Sequence, residues 1–318
     1  MAHRISGLVF LFPGQGSQAA GMGKELASNH SVARRTFEEA DEALGYSLST
    51  LCFEGPDDKL RLTEITQPAI LTVSTAVARV LAESGIAPSF VAGHSLGEYS
   101  AHVAAGSISF ADAVRTVRNR GKYMQEAVPV GVGAMAAILA MSIEQVRTAC
   151  CEAIAEFPGQ VCEPANINSP GQVVISGSKA AVERAAELCK QRGAKRAVML
   201  PVSAPFHCSL MQPAQDRLAA DLHALTFNIP EVPVMCNIAA AAVCDAAKSR
   251  DTLIRQVTGA VQGETSMRAH IAQGANQFLE AGPGSVLTGL LRQIDKAQAC
   301  VNVENEATLQ KAQALFAK

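Results

Sequence analysis

Gly93-His94-Ser95-Leu96-Gly97 constrains this chain more than any other stretch. It follows a short apolar run, Phe90-Val91-Ala92, and opens an Ala-rich segment at 98–105 whose small residues suit a closely packed helix. A GxSxG spacing between a strand and a helix is that of a nucleophile elbow. Lacking a Cβ, Gly93 and Gly97 let the two backbones approach while the turn tolerates a strained Ser95. The hydroxyl is then held out at the sheet edge over a helix N-terminus, and the Leu96 backbone N–H faces any oxyanion forming beside it. An ordinary Gly-rich turn has the same composition, so the flanking strand and helix patterns carry the nucleophile reading.

At 318 residues the chain is long enough for two domains, or one with an insertion. Hydrophobic residues make up 48% and charged residues 18%, which excludes a disordered chain. Aromatic residues total 4% and the net charge is -2, so neither base-stacking platforms nor a basic field is available for nucleic acid. The apolar run Leu8–Phe12 is too short for a signal-peptide core or a membrane span, and a soluble cytoplasmic protein acting as a monomer is expected. Nine cysteines contain no CxxC and mostly sit among alanines and valines. Structural thiols are expected, with neither disulfides nor a metal site.

Read in order, the apolar run at 8–12 is a buried strand entering Pro13-Gly14-Gln15-Gly16-Ser17-Gln18. That loop matches neither GxGxxG nor GxxxxGKS, so a phosphate site is not indicated; Gln15 offers neutral donors, or the loop is only a tight turn. Helical periodicity runs over 23–44, and Pro68 is placed in the first turn of a further helix ending at Gly85. After the elbow a helix is expected over 110–127, with Val114, Val117, Gly121 and Met124 as its apolar stripe. Arg120 borders that stripe, so it either joins a solvated face with Arg115 and Arg118 or points inward.

From Gly131 the rhythm becomes β-α-β-β-α-β, the split pattern of a ferredoxin-like unit. The expected fold class is α/β: a large parallel-sheet, α/β-hydrolase-like domain at 1–130 and 203–318, with an inserted ferredoxin-like small domain at 131–202. The chain returns through Ser203-Ala204-Pro205-Phe206-His207, which puts His207 at a domain junction where clefts form. His94 should point away from Ser95 around the sharp turn, His102 reads as a satisfied core group, and His223 and His270 read as surface positions. Between Ser95 and His207 the only aspartate is Asp112, at a helix start, and the glutamates fall mostly on polar helix faces. A Ser-His dyad whose imidazole is oriented by a carbonyl or amide therefore fits better than a triad.

Phe12-Pro13-Gly14-Gln15-Gly16-Ser17-Gln18, Thr66-Gln67-Pro68-Ala69, Gly93-His94-Ser95-Leu96-Gly97-Glu98, Arg120-Gly121, Asn168-Ser169-Pro170-Gly171-Gln172, Ala204-Pro205-Phe206-His207 and Gly282-Pro283-Gly284 occur in this order. Together they resemble the malonyl-CoA:acyl carrier protein transacylase family of type II fatty acid synthesis. The resemblance implies ping-pong transfer of malonyl from malonyl-CoA through Ser95 to the phosphopantetheine thiol of acyl carrier protein, with coenzyme A as part of a substrate and no cofactor. It implies His207 as base and then acid, the Gln15 and Leu96 amides as an oxyanion hole, Arg120 as partner of the malonyl carboxylate, and the Gln256 carbonyl as the group orienting His207. Phe206, beside the base, is expected to crowd the malonyl α-carbon. One departure is Gly263, where the family often has Trp, and it bears on packing near Gln256.

A serine esterase or thioesterase would share the elbow but needs an acid partner and a pocket open to water. The joint presence of Ser95, His207 and Arg120 speaks against a non-catalytic binding module. Loading enzymes for polyketide synthesis or malonate decarboxylation would keep the same residues.

Overall fold

The structure is a computed structural model that describes residues 4–202 and 204–316. Ser203, at the start of the return segment, lies outside the described residues, as do the outermost residues of the expected large domain. Ten strands can be followed among the described residues: β1 (Leu8–Phe12), β2 (Phe90–Gly93), β3 (Gly133–Leu139), β4 (Cys162–Ser169), β5 (Gln172–Ser178), β6 (Arg196–Met199), β7 (Val234–Cys236), β8 (Ala241–Val243), β9 (Gln277–Ala281) and β10 (Cys300–Val303).

All five residues of β1 are buried, as expected of a strand covered on both faces. Successive side chains point to opposite faces, so Leu8, Phe10 and Phe12 join one core while Val9 and Leu11 join another. The first core lies under the helices Thr63–Glu83, Gly97–Ala104 and Phe110–Glu126; the second is closed by Met267, Leu287 and Leu291. The sheet order is β10-β9-β1-β2-β7-β8, parallel throughout except for β8, which pairs antiparallel with β7. The expectation of a parallel sheet therefore holds for five strands, and β8 corrects it at one edge. An alanine run, 239–242, hides that strand, because nothing in its composition favours extended backbone; Ala240, at φ 49°, turns the hairpin.

Two helical boundaries also differ from the periodicity. The pattern over 23–44 is split into Lys24–Asn29 and Ser31–Leu44 by extended backbone at His30. The helix expected to begin near Pro68 begins at Thr63, which puts the proline inside the helix, where it has no N–H for the i−4 carbonyl. Burial of every residue from Thr66 to Val77 holds that helix in place despite the missing bond. The same helix is long and apolar enough to cross a membrane, but 78% of its most apolar window is buried inside the protein, as for a core helix.

β3 to β6 form a separate antiparallel sheet in the order β4-β5-β3-β6, the ferredoxin-like arrangement, with the helices Ile143–Glu156 and Lys179–Gln191 packed on it. Ser142 and Gln145 form the capping box that starts the first of these helices. The two sheets are tied along β4. Ile167 N–H donates to the Val261 carbonyl at 2.9 Å, and Val261 N–H donates to the Ala165 carbonyl at 2.8 Å. This pairing brings Asn166 to the wall that holds Ser95, and Asn168 beside the C-terminal ends of β1, β2 and β7, where open α/β sheets place their ligands.

Candidate active site

Ser95 lies two residues beyond the end of β2 and has φ 51°, a left-handed conformation that costs about 1–3 kcal/mol and must be held by its surroundings. A Cβ on Gly93 would collide with the Gly97 backbone, and one on Gly97 with the Phe12 carbonyl, so both glycines are needed for the strand and helix to meet. Asn237 holds the turn from the far side: its Oδ1 accepts from the Ser95 N–H at 2.6 Å, and its Nδ2 donates to the Gly93 carbonyl at 2.7 Å. Leu96, buried, opens the helix Gly97–Ala104, where backbone N–H groups have no intrahelical acceptor.

The Ser95 hydroxyl lies 2.7 Å from Nε2 of His207. Nδ1 of that ring faces the Gln256 carbonyl at 3.0 Å and the Gly259 carbonyl at 3.1 Å. Carbonyls only accept, so Nδ1 carries the proton and Nε2 is left to accept from Ser95 Oγ. Burial and then the nearby Arg120 push His207 down to about 3, which keeps the resting imidazole neutral. His207 itself has φ 59°, so both members of the pair sit in left-handed backbone.

Arg120 resolves the choice left by periodicity, because it is buried and points inward. Gly121 makes this possible: a Cβ there would stand 2.6 Å from the Thr63 carbonyl, so its absence lets the two helices close together. Nη2 donates to Ser95 Oγ and to Gln256 Oε1, each at 3.0 Å, Nη1 donates to Gln67 Oε1 at 2.8 Å, and the guanidinium lies over the Tyr99 ring. Arg115 instead pairs with Asp112 on the surface, and Arg118 sits over Tyr46.

Ser95, His207, Arg120 and Gln67 line a cavity of about 130 Å³ shared with Gln15, Leu96, Met135, Asn166, Leu200, Val202 and Phe206. Gln15 is exposed at its rim, with Nε2 3.5 Å from Thr63 Oγ1. Phe206 is buried in its wall. A cleft of about 810 Å³ between Phe10, Ala78, Ile86 and Val103 is larger but holds no nucleophile beside a base, so size does not select the reactive site.

The acyl transferase domain family matches residues 9–317. A malonyl CoA-acyl carrier protein transacylase of Salmonella typhimurium is 53% identical over 286 residues, 90% of this chain and 92% of that protein. The chain belongs to the malonyl CoA-acyl carrier protein transacylases. It is an acyltransferase. Among solved structures of the family, an acyl carrier protein S-malonyltransferase from Vibrio cholerae superposes with a TM-score of 0.94 at 48% identity, covering 96% of this chain and all 100% of that one. A malonyl-transacylase solved in complex with a type II PKS acyl-carrier protein gives a TM-score of 0.94 at 47% identity, over 97% of this chain and 99% of that chain.

Several features of the site have no signal in the sequence. His94 does point away from Ser95, but it reaches β4 and its Nε2 meets Asn168 Oδ1 at 2.9 Å. His270, expected at the surface, is buried against Phe90, because its helix turns that face toward β2. His102 is a core group as expected, yet neither ring nitrogen has a partner among the described residues, so it is not satisfied. Gly263, the departure from the transacylase pattern, stands beside β4: a Cβ there would be 3.1 Å from the Ile167 carbonyl. Its effect therefore falls on the His94–Asn168 side of the elbow as well as near Gln256. Asn237, the Gly259 carbonyl and Gln67 were not singled out for roles, since polar amides far apart in sequence carry no periodic signal; a Gln between Thr66 and Pro68 in an apolar helix was the one visible cue.

Proposed function

We propose that this chain transfers malonyl from malonyl-CoA to the phosphopantetheine thiol of acyl carrier protein by a ping-pong route through Ser95, supplying extender units for fatty acid synthesis. The observation that carries the reading is the position of Ser95 Oγ between His207 Nε2 at 2.7 Å and Arg120 Nη2 at 3.0 Å. A neutral imidazole accepts the hydroxyl proton as Oγ attacks the thioester carbonyl, and the departing coenzyme A sulfur takes that proton from Nε2. The second half repeats the steps in reverse: the carrier thiol gives its proton to His207 and attacks the ester, and Ser95 takes the proton back.

The Leu96 and Gln15 backbone amides would hold the oxyanion. Arg120 would anchor the free carboxylate of the acyl group, exchanging neutral amide acceptors for a charged one. That exchange also matters to the base. Arg120 is one of the causes that depress His207, so a carboxylate on the guanidinium raises the basicity of the imidazole when substrate is present.

The domain reading belongs to the same proposal: 131–202 as the inserted unit between 1–130 and 203–318, in a cytoplasmic protein that acts as a monomer and draws on no group beyond its two thioester partners. Relatives named as malonyl transacylases, one of them with a carrier protein bound, support the choice of donor and acceptor. A hydrolase would have no use for a buried arginine touching the nucleophile. Intact-mass measurement after mixing with malonyl-CoA alone tests the route. A malonyl ester is expected on the wild type and none on Ser95→Ala; an adduct on the variant would overturn the assignment.

A further inference from the structure

Glu98 is fully buried in the first turn of the helix that follows the elbow. Its Oε2 accepts from the Asn237 backbone N–H at 3.0 Å and from Gln256 Nε2 at 2.7 Å. Both partners continue to the reacting groups. Asn237 holds the Ser95 N–H, and Gln256 Nε2 donates to the Ser95 carbonyl at 3.0 Å, so both backbone groups of the strained serine hang from residues that Glu98 holds. Gln256 also presents Oε1 to Arg120 and its main-chain carbonyl to His207.

A carboxylate can only accept, which decides the orientation of the Gln256 amide. With the NH2 end turned to Glu98, the oxygen end must face the guanidinium. The opposite flip would set two acceptors against each other and two donors against each other. Glu98 is also the carboxylate next to a buried arginine whose hydrogen-bond acceptors in the structure are neutral oxygens.

We propose that Glu98 is a positioning residue for acyl transfer, holding Gln256 and Asn237 in register and balancing the Arg120 charge until the carboxylate of the acyl group replaces it. The proposal rests on the malonyl reading above. Substrate binding places a second carboxylate against one guanidinium, so Glu98 and the substrate compete for the same charge.

Competition of this kind has a pH signature. Burial, with Oε1 left unpartnered among the described residues, pushes the Glu98 carboxyl up to about 7. The other titratable groups around it are Arg120, Tyr99 and Cys236; the guanidinium stays charged, and burial holds the phenol and the thiol neutral. His207, beyond Gln256, is neutral in this range. As pH falls through the Glu98 value the carboxyl takes a proton, its hold on Arg120 lapses, and malonyl binds more tightly.

Single-turnover acylation measured against malonyl-CoA concentration, between about pH 6 and 8, separates a plateau rate from a half-saturation constant. Glu98→Gln keeps an oxygen for both hydrogen bonds, so its plateau should stay within about fivefold of wild type; its half-saturation constant should be about tenfold lower at the alkaline end and independent of pH. The wild-type constant should fall toward the variant's value as pH is lowered. Glu98→Ala removes the acceptor, and its plateau should fall about 100-fold. If the alanine variant does not fold by circular dichroism, the glutamine comparison decides alone. A wild-type plateau in Glu98→Ala, or a Glu98→Gln half-saturation constant that follows wild type across pH, overturns the proposal. Absence of a malonyl ester on wild-type Ser95 in the same mixtures would instead overturn the malonyl reading.

Discussion

Arg120 Nη2 stands 3.0 Å from Ser95 Oγ, so the group that would hold a free carboxylate touches the atom that would carry the acyl chain. In a malonyl ester, carboxylate and ester carbonyl are separated by one methylene, and a single guanidinium can reach the first while the second sits on serine. A longer diacid would not fit that spacing without moving the arginine.

Arg120→Ala should therefore lower malonyl transfer by about 10²-fold or more and raise the relative rate with acetyl-CoA. Binding a neutral acyl group to the wild type leaves a buried charge without a new partner, and the alanine variant removes that penalty. Arg120→Lys should recover little, because a point charge on a flexible stem cannot serve Gln67, Gln256 and the substrate together. Relative kcat/KM for the two donors checks this, and an unchanged malonyl preference would refute it.

His207→Ala should slow acylation by about 10²–10⁴-fold, leaving the oxyanion donors and binding in place. Burial, the largest cause that holds this ring down to about 3, persists when a carboxylate on Arg120 relieves the smaller one, so wild-type acylation at saturating donor should show no acid limb near the usual histidine value of about 6.5. A limb at that value in stopped-flow acylation would contradict the proposal that His207 acts as a buried neutral base.

Stability should carry the opposite mark. His102 and His207 are depressed to about 3 and His270 to about 4, all chiefly by burial. The unfolded chain binds protons at these sites first, so the stability these three histidines contribute is full above about pH 6.5 and is lost progressively as pH falls toward the folded values, outweighing the opposite contribution of the single carboxyl Glu98, which is raised to about 7. Thermal melts between about pH 7.5 and 4.5 should show the decline, and His270→Phe, which keeps the ring beside Phe90, should make it shallower.

Phe206 closes the cavity wall beside His207 and should crowd a branched α-carbon. One methyl group in an apolar pocket is worth about 1–3 kcal/mol, so malonyl should exceed methylmalonyl in kcat/KM by roughly tenfold or more, and Phe206→Ala should narrow the gap. Equal ratios in wild type and variant would show that the wall does not select.

Lys190, Arg192, Lys195 and Arg196 lie close together in the small domain; Arg192 is paired with Glu152, while Lys190, Lys195 and Arg196 are exposed and are the cations left to meet a partner. Charge reversal at those three should raise the KM for an acidic carrier protein and its salt sensitivity while sparing transfer to a small thiol. Equal effects on both acceptors would rule out docking there.

Much of this protein is legible without coordinates. Local signals did the work: the glycines around Ser95 permit only a tight strand-to-helix turn, the continuous apolar run Leu8–Phe12 suits only a doubly covered strand, and the β-α-β-β-α-β rhythm after Gly131 announces a second sheet. Each rests on backbone sterics or on side-chain period, which neighbours in sequence decide between themselves. The helix phase around Arg120 left its direction open; packing of Gly121 against Thr63 turned it inward. The face of His270 was decided by where its helix lies on β2, and the extended state of β8 by the free edge of β7. The side-chain hydrogen-bond web of Glu98, Gln256, Asn237 and Gln67 joins residues separated by 53 to 161 positions. Such bonds form only after both sheets have closed on the elbow, when water is gone and each buried donor must find an acceptor; no local pattern encodes that pairing.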